Sequence, residues 1–304
     1  MRTYRSSIPW LLIAPAIIWV SVFALVPFLN TIMLSFTDAR PLDGGVFGNV
    51  DFVLFDNYIA LAQDRRFWNA MVTSIVFALA CVPFLTFLPL LLALLVEKTI
   101  PGIGAFRTTF YFPVVASVVV VGLIFSWLFD SRGIINGALE FLGVIDAPIP
   151  FLVSRWWIVF TAVVLTVWKG LGYYMVVYLA ALGSVGRELH EAAAMDGAGA
   201  WRRFWSVTVP GVRGAMFLVS ALITVSAIRV FTELYVLTNG TGGAGGEAMS
   251  MVMLVQQVGS GLQGRLGSAS AMSVALFFVT IGPLLLVAYL NNRGDSASIS
   301  GGKS

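Results

Sequence analysis

Six long apolar runs limit this chain to a fold whose solvent is lipid. They lie at about residues 8–36, 67–96, 108–129, 156–183, 213–237 and 268–290. Each is long enough for a helix to cross a hydrocarbon core of roughly 30 Å. Inside such a core every backbone N–H and C=O must be paired, and a helix pairs them within one segment. Composition agrees: the chain is 59% hydrophobic and 11% charged, against about 25% charged for a soluble domain. The reading is an all-α polytopic membrane protein with one transmembrane domain over residues 1–290. A polar tail over 291–304 is expected to be disordered.

The first run follows Arg2 and Arg5 and resembles a signal peptide, but it is too long and has no small-x-small cleavage site before Thr37. It reads as a retained span. Pro15, Pro27, Pro83 and Pro89 should bend their helices, which membrane helices tolerate. Thr37–Arg66 is acidic and reads as an external loop with short amphipathic pieces. Pro101-Gly102 marks an inner turn. The stretch 238–267 is Gly-rich, with a short helix expected near Met249–Val258.

With both termini inside, the inner segments hold ten cations, including Arg2, Arg5, Lys98, Arg107, Arg202, Arg203 and Lys303. The outer segments hold six: Arg40, Arg65, Arg66, Arg132, Arg155 and Arg265. That bias favours cytosolic termini. The net charge of +3 gives no reason to expect nucleic acid. Cys81 is the single cysteine, so no intrachain disulfide forms, and with one histidine an all-protein metal site is not expected. No Gly-x-x-x-x-Gly-Lys-[Ser/Thr] loop and no nucleophile–base pair is present, so the chain itself is not read as an enzyme.

Glu191–Pro210, within a loop over 184–212, is the longest polar interruption of the second half. Glu188, His190, Glu191, Asp196, Arg202 and Arg203 crowd there, so it must lie in water between two spans. Glu191–Met195 favours helix. Gly197 and Gly199 then loosen the backbone, and Pro210 precedes the next apolar run. Glu191 is placed at the start of this helix, where the dipole favours a carboxylate.

Two later spans carry groups that lipid rejects. Thr166, Lys169, Gly170 and Tyr173 have i, i+3, i+4, i+7 spacing and share a helix face. Arg229 and Glu233 stand one turn apart. Such groups face a wet cavity or the bundle interior. Arg229 and Glu233 could also simply pair as an i,i+4 couple, and Gly170 and Gly172 equally suit close helix packing.

The polar stretch resembles the EAA loop of the membrane subunits of bacterial ABC importers. Glu191-Ala192-Ala193 is followed after three residues by Gly197, and after nine more by Val207-Thr208-Val209-Pro210. The family has Ile-x-Leu-Pro at that last place. Leu189, Asp196-Gly197-Ala198, Asp56-Asn57-Tyr58, Arg107–Pro113, Thr238-Asn239-Gly240 and Gly267–Ala271 also resemble phrases of its sugar-permease branch. The resemblance runs from the first span to the last.

It implies a type I ABC importer permease fold, of the first of the two carbohydrate-permease types. Coupling to an ATPase would fall to Glu191, Ala192, Ala193, Asp196, Gly197 and Pro210. Laid on this sequence, the family's cavity positions are Thr166, Lys169, Gly170 and Tyr173, then Ile223, Ser226, Ala227 and Val230, with Val114 and Val118. Arg229 and Glu233 join them as charged candidates. Implied partners are a second permease subunit, two cytosolic ATPases carrying ATP and Mg, an extracytoplasmic solute-binding protein, and membrane lipid. No cofactor is expected on this chain. The implied place is the bacterial inner membrane, and the implied cargo is a sugar or polyol. Glycerol 3-phosphate or its diesters are the alternative, and a stand-alone secondary transporter using Glu233 is the rival outside the class.

Overall fold

The computed structural model describes residues 7–43, 50–98 and 100–300. Arg2, Arg5, Gly44, Gly45 and Lys303, which entered the expectations above, lie outside the described residues. The first described elements are α1 (Ser7–Val20), a π-helical turn (Ser21–Leu25) and α2 (Val26–Leu34). Then come α3 (Asp56–Gln63), α4 (Arg65–Val96), α5 (Ile103–Val115), α6 (Val118–Leu128), α7 (Ile134–Phe141) and α8 (Arg155–Leu182). There follow α9 (Arg187–Met195), α10 (Ala200–Arg203), a second π turn (Phe204–Thr208), α11 (Val209–Gly211), α12 (Arg213–Ile228), α13 (Thr232–Leu237), α14 (Met251–Gly259) and α15 (Leu266–Ser300). Among the described residues extended pairing is limited to one bridge, Thr37 with Phe52. The class is all-α.

Four helical stretches are long and apolar enough to cross a membrane: Trp10–Leu34, Arg65–Val96, Arg155–Leu182 and Leu266–Leu285. Two bent pairs bring the number to six when each counts as one span. They are Ile103–Val115 with Val118–Leu128, bent by 95°, and Ala200–Gly211 with Arg213–Ile228, bent by 72°. Two unbroken spans were expected at 108–129 and 213–237, and both expectations need correction. Ala116 and Ser117 adopt extended backbone and split the first. The second stops at Ile228 and resumes at Thr232, with Phe231 at φ −137°, ψ −63° between them. The last helix also runs on to Ser300, through residues expected as a disordered tail.

By chain contacts the protein forms two compact units, Met1–Trp68 with Leu254–Phe278, and Asn69–Met253 with Val279–Ser304. In the first, the π turn precedes Pro27, which has no N–H to give to the carbonyl one turn back. The wider turn absorbs that break in the ladder. The second π turn likewise precedes a proline, Pro210. Asn57 is the polar centre of this unit. Its Nδ2 donates to the carbonyls of Ser35 (3.0 Å) and Thr37 (2.8 Å), and Ser268 Oγ donates to its Oδ1 (3.1 Å). A Cβ at Gly267 would overlap the Thr37 carbonyl. Two phrases far apart in sequence, Asp56-Asn57-Tyr58 and Gly267-Ser268, therefore meet in one hydrogen-bonded knot.

In the second unit α8 is the central post. Ile158, Ala162, Leu165, Met175 and Tyr178 are fully buried along it, and α5, α12 and α13 pack against it. Gly172 lets α5 approach closely, since a Cβ there would overlap the Phe110 carbonyl. At its start, Arg155 Nη2 donates to the Asn69 carbonyl (2.7 Å) and Thr73 Oγ1 (3.0 Å), tying α8 to α4.

Candidate functional site

The polar stretch folds as expected into a short helix and a turn. Gly186 leads into α9, and Gly197 ends it with left-handed backbone, φ +73°. The Ala198 N–H bonds the Ala193 carbonyl (2.9 Å) and the Gly197 N–H bonds that of Ala194 (3.0 Å). This is the Schellman pattern, which satisfies helix-end carbonyls without outside help. Nothing lies within 4 Å of a Cβ built at Gly197, so within this chain its conformation, rather than close packing, calls for glycine. Glu191, Ala192, Asp196 and Pro210 are exposed and Ala193 is half-buried. Leu189, Met195 and Trp201 are also exposed, Met195 at 89%. One expectation is corrected: α9 begins at Arg187, so Glu191 sits in its second turn and Glu188 holds the first-turn place. The dipole argument passes to Glu188.

The second element is a cavity of about 220 Å³ among α4, α8, α12 and α13. Thr166, Lys169 and Gly170 line it from α8, and Ile223, Ser226, Ala227, Val230 and Glu233 from the broken fifth span. Four candidates lie elsewhere. Tyr173 is 47% exposed and turns away, while its neighbour Tyr174 lines the cavity. The two rings meet edge to face at 5.1 Å. Arg229 is exposed and does not line it. Val118 opens α6 just beyond the break, and Val114 contributes its carbonyl rather than its side chain.

Lys169 is the best-defined group. Its Nζ donates to the carbonyls of Pro113 (3.2 Å), Val114 (2.9 Å) and Ala116 (2.7 Å). Those are carbonyls at the broken end of α5, which has no next turn to satisfy them. An ammonium has three N–H donors, and here all three are engaged. Lys169 thus caps a helix from a neighbouring helix.

Glu233 lines the same cavity. No ion pair within 4.0 Å joins it to Arg229 or to Lys169 among the described residues. The i,i+4 pairing with Arg229 fails because the helix is interrupted between them. Thr166 Oγ1 is buried with no hydrogen-bond partner. Its unmet capacity and the Glu233 carboxylate are the cavity's open polar functions. Sequence reasoning missed the α4 wall, Phe77, Cys81 and Leu85. Nothing polar marks those residues, and only packing shows which face of α4 turns inward.

The sequence matches the family described as "Binding-protein-dependent transport system inner membrane component" over residues 58–294. It is 30% identical to the lactose transport system permease protein LacF of Rhizobium radiobacter, covering 84% of both chains. It is 31% identical to the probable starch degradation products transport system permease protein AmyD of Thermoanaerobacterium thermosulfurigenes, covering 94% of both. It is 29% identical to the trehalose/maltose transport system permease protein MalF of Thermococcus litoralis, covering 92% of both. A chain of a bacterial ABC transporter involved in the import of the acidic polysaccharide alginate has the same fold. Its TM-score is 0.77 at 24% identity, over 93% of this chain and 96% of that one. With six candidate spans, an exposed helix-and-turn knob and this degree of kinship, the chain belongs to the binding-protein-dependent transport system inner membrane components, the integral membrane permeases of ABC importers.

Proposed function

We propose that this chain is one of two permease subunits through which an uncharged sugar crosses the inner membrane. Two cytosolic ATPase subunits, carrying ATP and Mg, would drive it from the α9 knob. A solute-binding protein would deliver the sugar from the other side, and both termini would be cytosolic. Relatives named for lactose, starch degradation products and trehalose/maltose support the sugar class.

The engagement of Lys169 is the observation that carries the uncharged cargo. A lysine free in the cavity would favour a phosphate. This one has no donor left, and the cavity instead presents Glu233 and Thr166. A carboxylate repels a phosphate and accepts from sugar hydroxyls. The cavity's 220 Å³ is below the roughly 300–1,000 Å³ of complete ligand sites, which fits a partner permease supplying the other wall.

The test is uptake by the complex reconstituted with its partner subunits, comparing labelled disaccharides with glycerol 3-phosphate. Sugar uptake with no glycerol 3-phosphate uptake is the expected result; the reverse would overturn the reading. Glu233→Gln should raise the KM for sugar about tenfold, the loss of one charge-assisted hydrogen bond. An unchanged KM would remove Glu233 from the cargo's contacts.

A further inference from the structure

A second and larger cavity, of about 850 Å³, opens at the ends of the candidate spans α4 and α8, beside the α9–α10 segment. It is separate from the sugar cavity. Leu94 at the end of α4 and Leu179 and Leu182 at the end of α8 give it an apolar floor. Its polar wall holds Lys98, Arg107 and Arg203, with His190, against a single carboxylate, Glu97. Among the described residues, the side chains of Lys98, Arg203 and His190 make no hydrogen bond or ion pair. Arg107 donates from Nε (3.0 Å) and Nη2 (2.6 Å) to the one Val96 carbonyl, and from Nη2 also to the Glu97 carbonyl (3.2 Å). Both N–H groups of its Nη1 are left to face a ligand.

We propose that this cavity holds the phosphate headgroup of an anionic membrane phospholipid, with the start of its acyl chains on the leucine floor. Three features select lipid over a soluble anion or a protein acid. The cationic wall sits directly on the ends of two spanning helices, at headgroup depth. The floor is apolar, which a free phosphate does not need. The adjoining α10 and π turn expose Trp201 at 73% and Trp205 at 47%, and tryptophan is a residue that settles in the headgroup layer. The site would thereby pin the α9–α10 loop to the membrane surface and make its position sensitive to lipid charge.

The test uses the full chain purified with its copurifying subunits in detergent, and reads bound lipid by native mass spectrometry. The probes are phosphatidylglycerol, phosphatidylcholine and inorganic phosphate. Phosphatidylglycerol should be retained over phosphatidylcholine. Lys98→Ala and Arg203→Ala should each weaken that retention about fivefold, as expected for one cation near a membrane surface. Both residues lie outside the capping bonds, so the variants keep the fold, which the elution profile checks. Equal retention of both lipids, or of phosphatidylglycerol by the double variant and the parent, would overturn the proposal. So would displacement of the lipid by millimolar inorganic phosphate, which would mark a soluble-anion site. Loss of ATPase subunits from the double variant in lipid-free detergent would assign the cations to a protein interface instead.

Discussion

Two helix ends in this molecule solve the same problem by different means. The C-terminus of α9 lies in the exposed loop and finishes itself, with Gly197 turning the backbone so that the Gly197 and Ala198 amides reach back to Ala194 and Ala193. The C-terminus of α5 lies mid-span, and its carbonyls are met by Lys169 of α8. Water stands ready at the first end and is scarce at the second. A break inside a membrane therefore needs a donor brought from another helix, and that donor ties the two helices together. The α4 terminus lies between these extremes. Arg107 of α5 caps it, at the boundary where water can also reach.

If depth sets how much each cap matters, removal should be most damaging at α5. Lys169→Met keeps length and loses all three donors. An unmet buried carbonyl costs about 1–3 kcal/mol. Lys169 and its three bonds are half-buried within this chain, and losing the charge offsets part of that sum, so we expect about 3 kcal/mol of lost stability. Thermal unfolding of the purified complex should show it, with transport lost in parallel and partly restored by Lys169→Arg. Wild-type stability with only a raised KM would mean that Lys169 touches cargo, and the contrast between the two ends would collapse.

Removal of the boundary cap should matter less. Arg107→Met frees the Val96 and Glu97 carbonyls, but water can replace the guanidinium there. A loss of about 1 kcal/mol follows, the net value of an ordinary hydrogen bond. The same unfolding measurement checks it. A loss as large as that of Lys169→Met would show that exposure to water does not rank these caps.

The same contrast explains what the sequence could and could not reveal. The α9 knob was legible because all its determinants are local. Charges keep it in water, Glu191–Met195 favours helix, and Gly197 supplies the stop. The cavity was half legible. The i, i+3, i+4, i+7 spacing placed Thr166, Lys169 and Gly170 on one face, and the family resemblance supplied Ser226 and Val230. Tyr173 stays outside this cavity, where its neighbour Tyr174 takes the lining place. The breaks in the third and fifth spans were invisible. Val114–Val118 reads as apolar helix, and what stabilises its interruption is a lysine more than fifty residues away. Of the two readings open for Arg229 and Glu233, the i,i+4 pairing does not form because the helix that would align them is interrupted.

The smallest effect on global stability should come from the water-facing end. Gly197 holds φ +73°, a conformation that disfavours a Cβ by roughly 1–2 kcal/mol. Space is not the obstacle, since nothing lies within 4 Å of a Cβ there. Gly197→Ala should therefore strain only the last turn of α9. An exposed helix end can relieve such strain by fraying, without unfolding the bundle. The unfolding temperature should stay close to that of the parent. Amide exchange at residues 197 and 198 should instead quicken about fivefold, the equivalent of about 1 kcal/mol of local stability. Gly197→Asn should quicken it less, because asparagine tolerates left-handed backbone. Hydrogen-exchange mass spectrometry of peptides covering the loop reads both. If Gly197→Ala lowered the unfolding temperature as far as Lys169→Met, the α9 end would be bound into the bundle as firmly as the α5 end. Self-capping in water would then not be what distinguishes it.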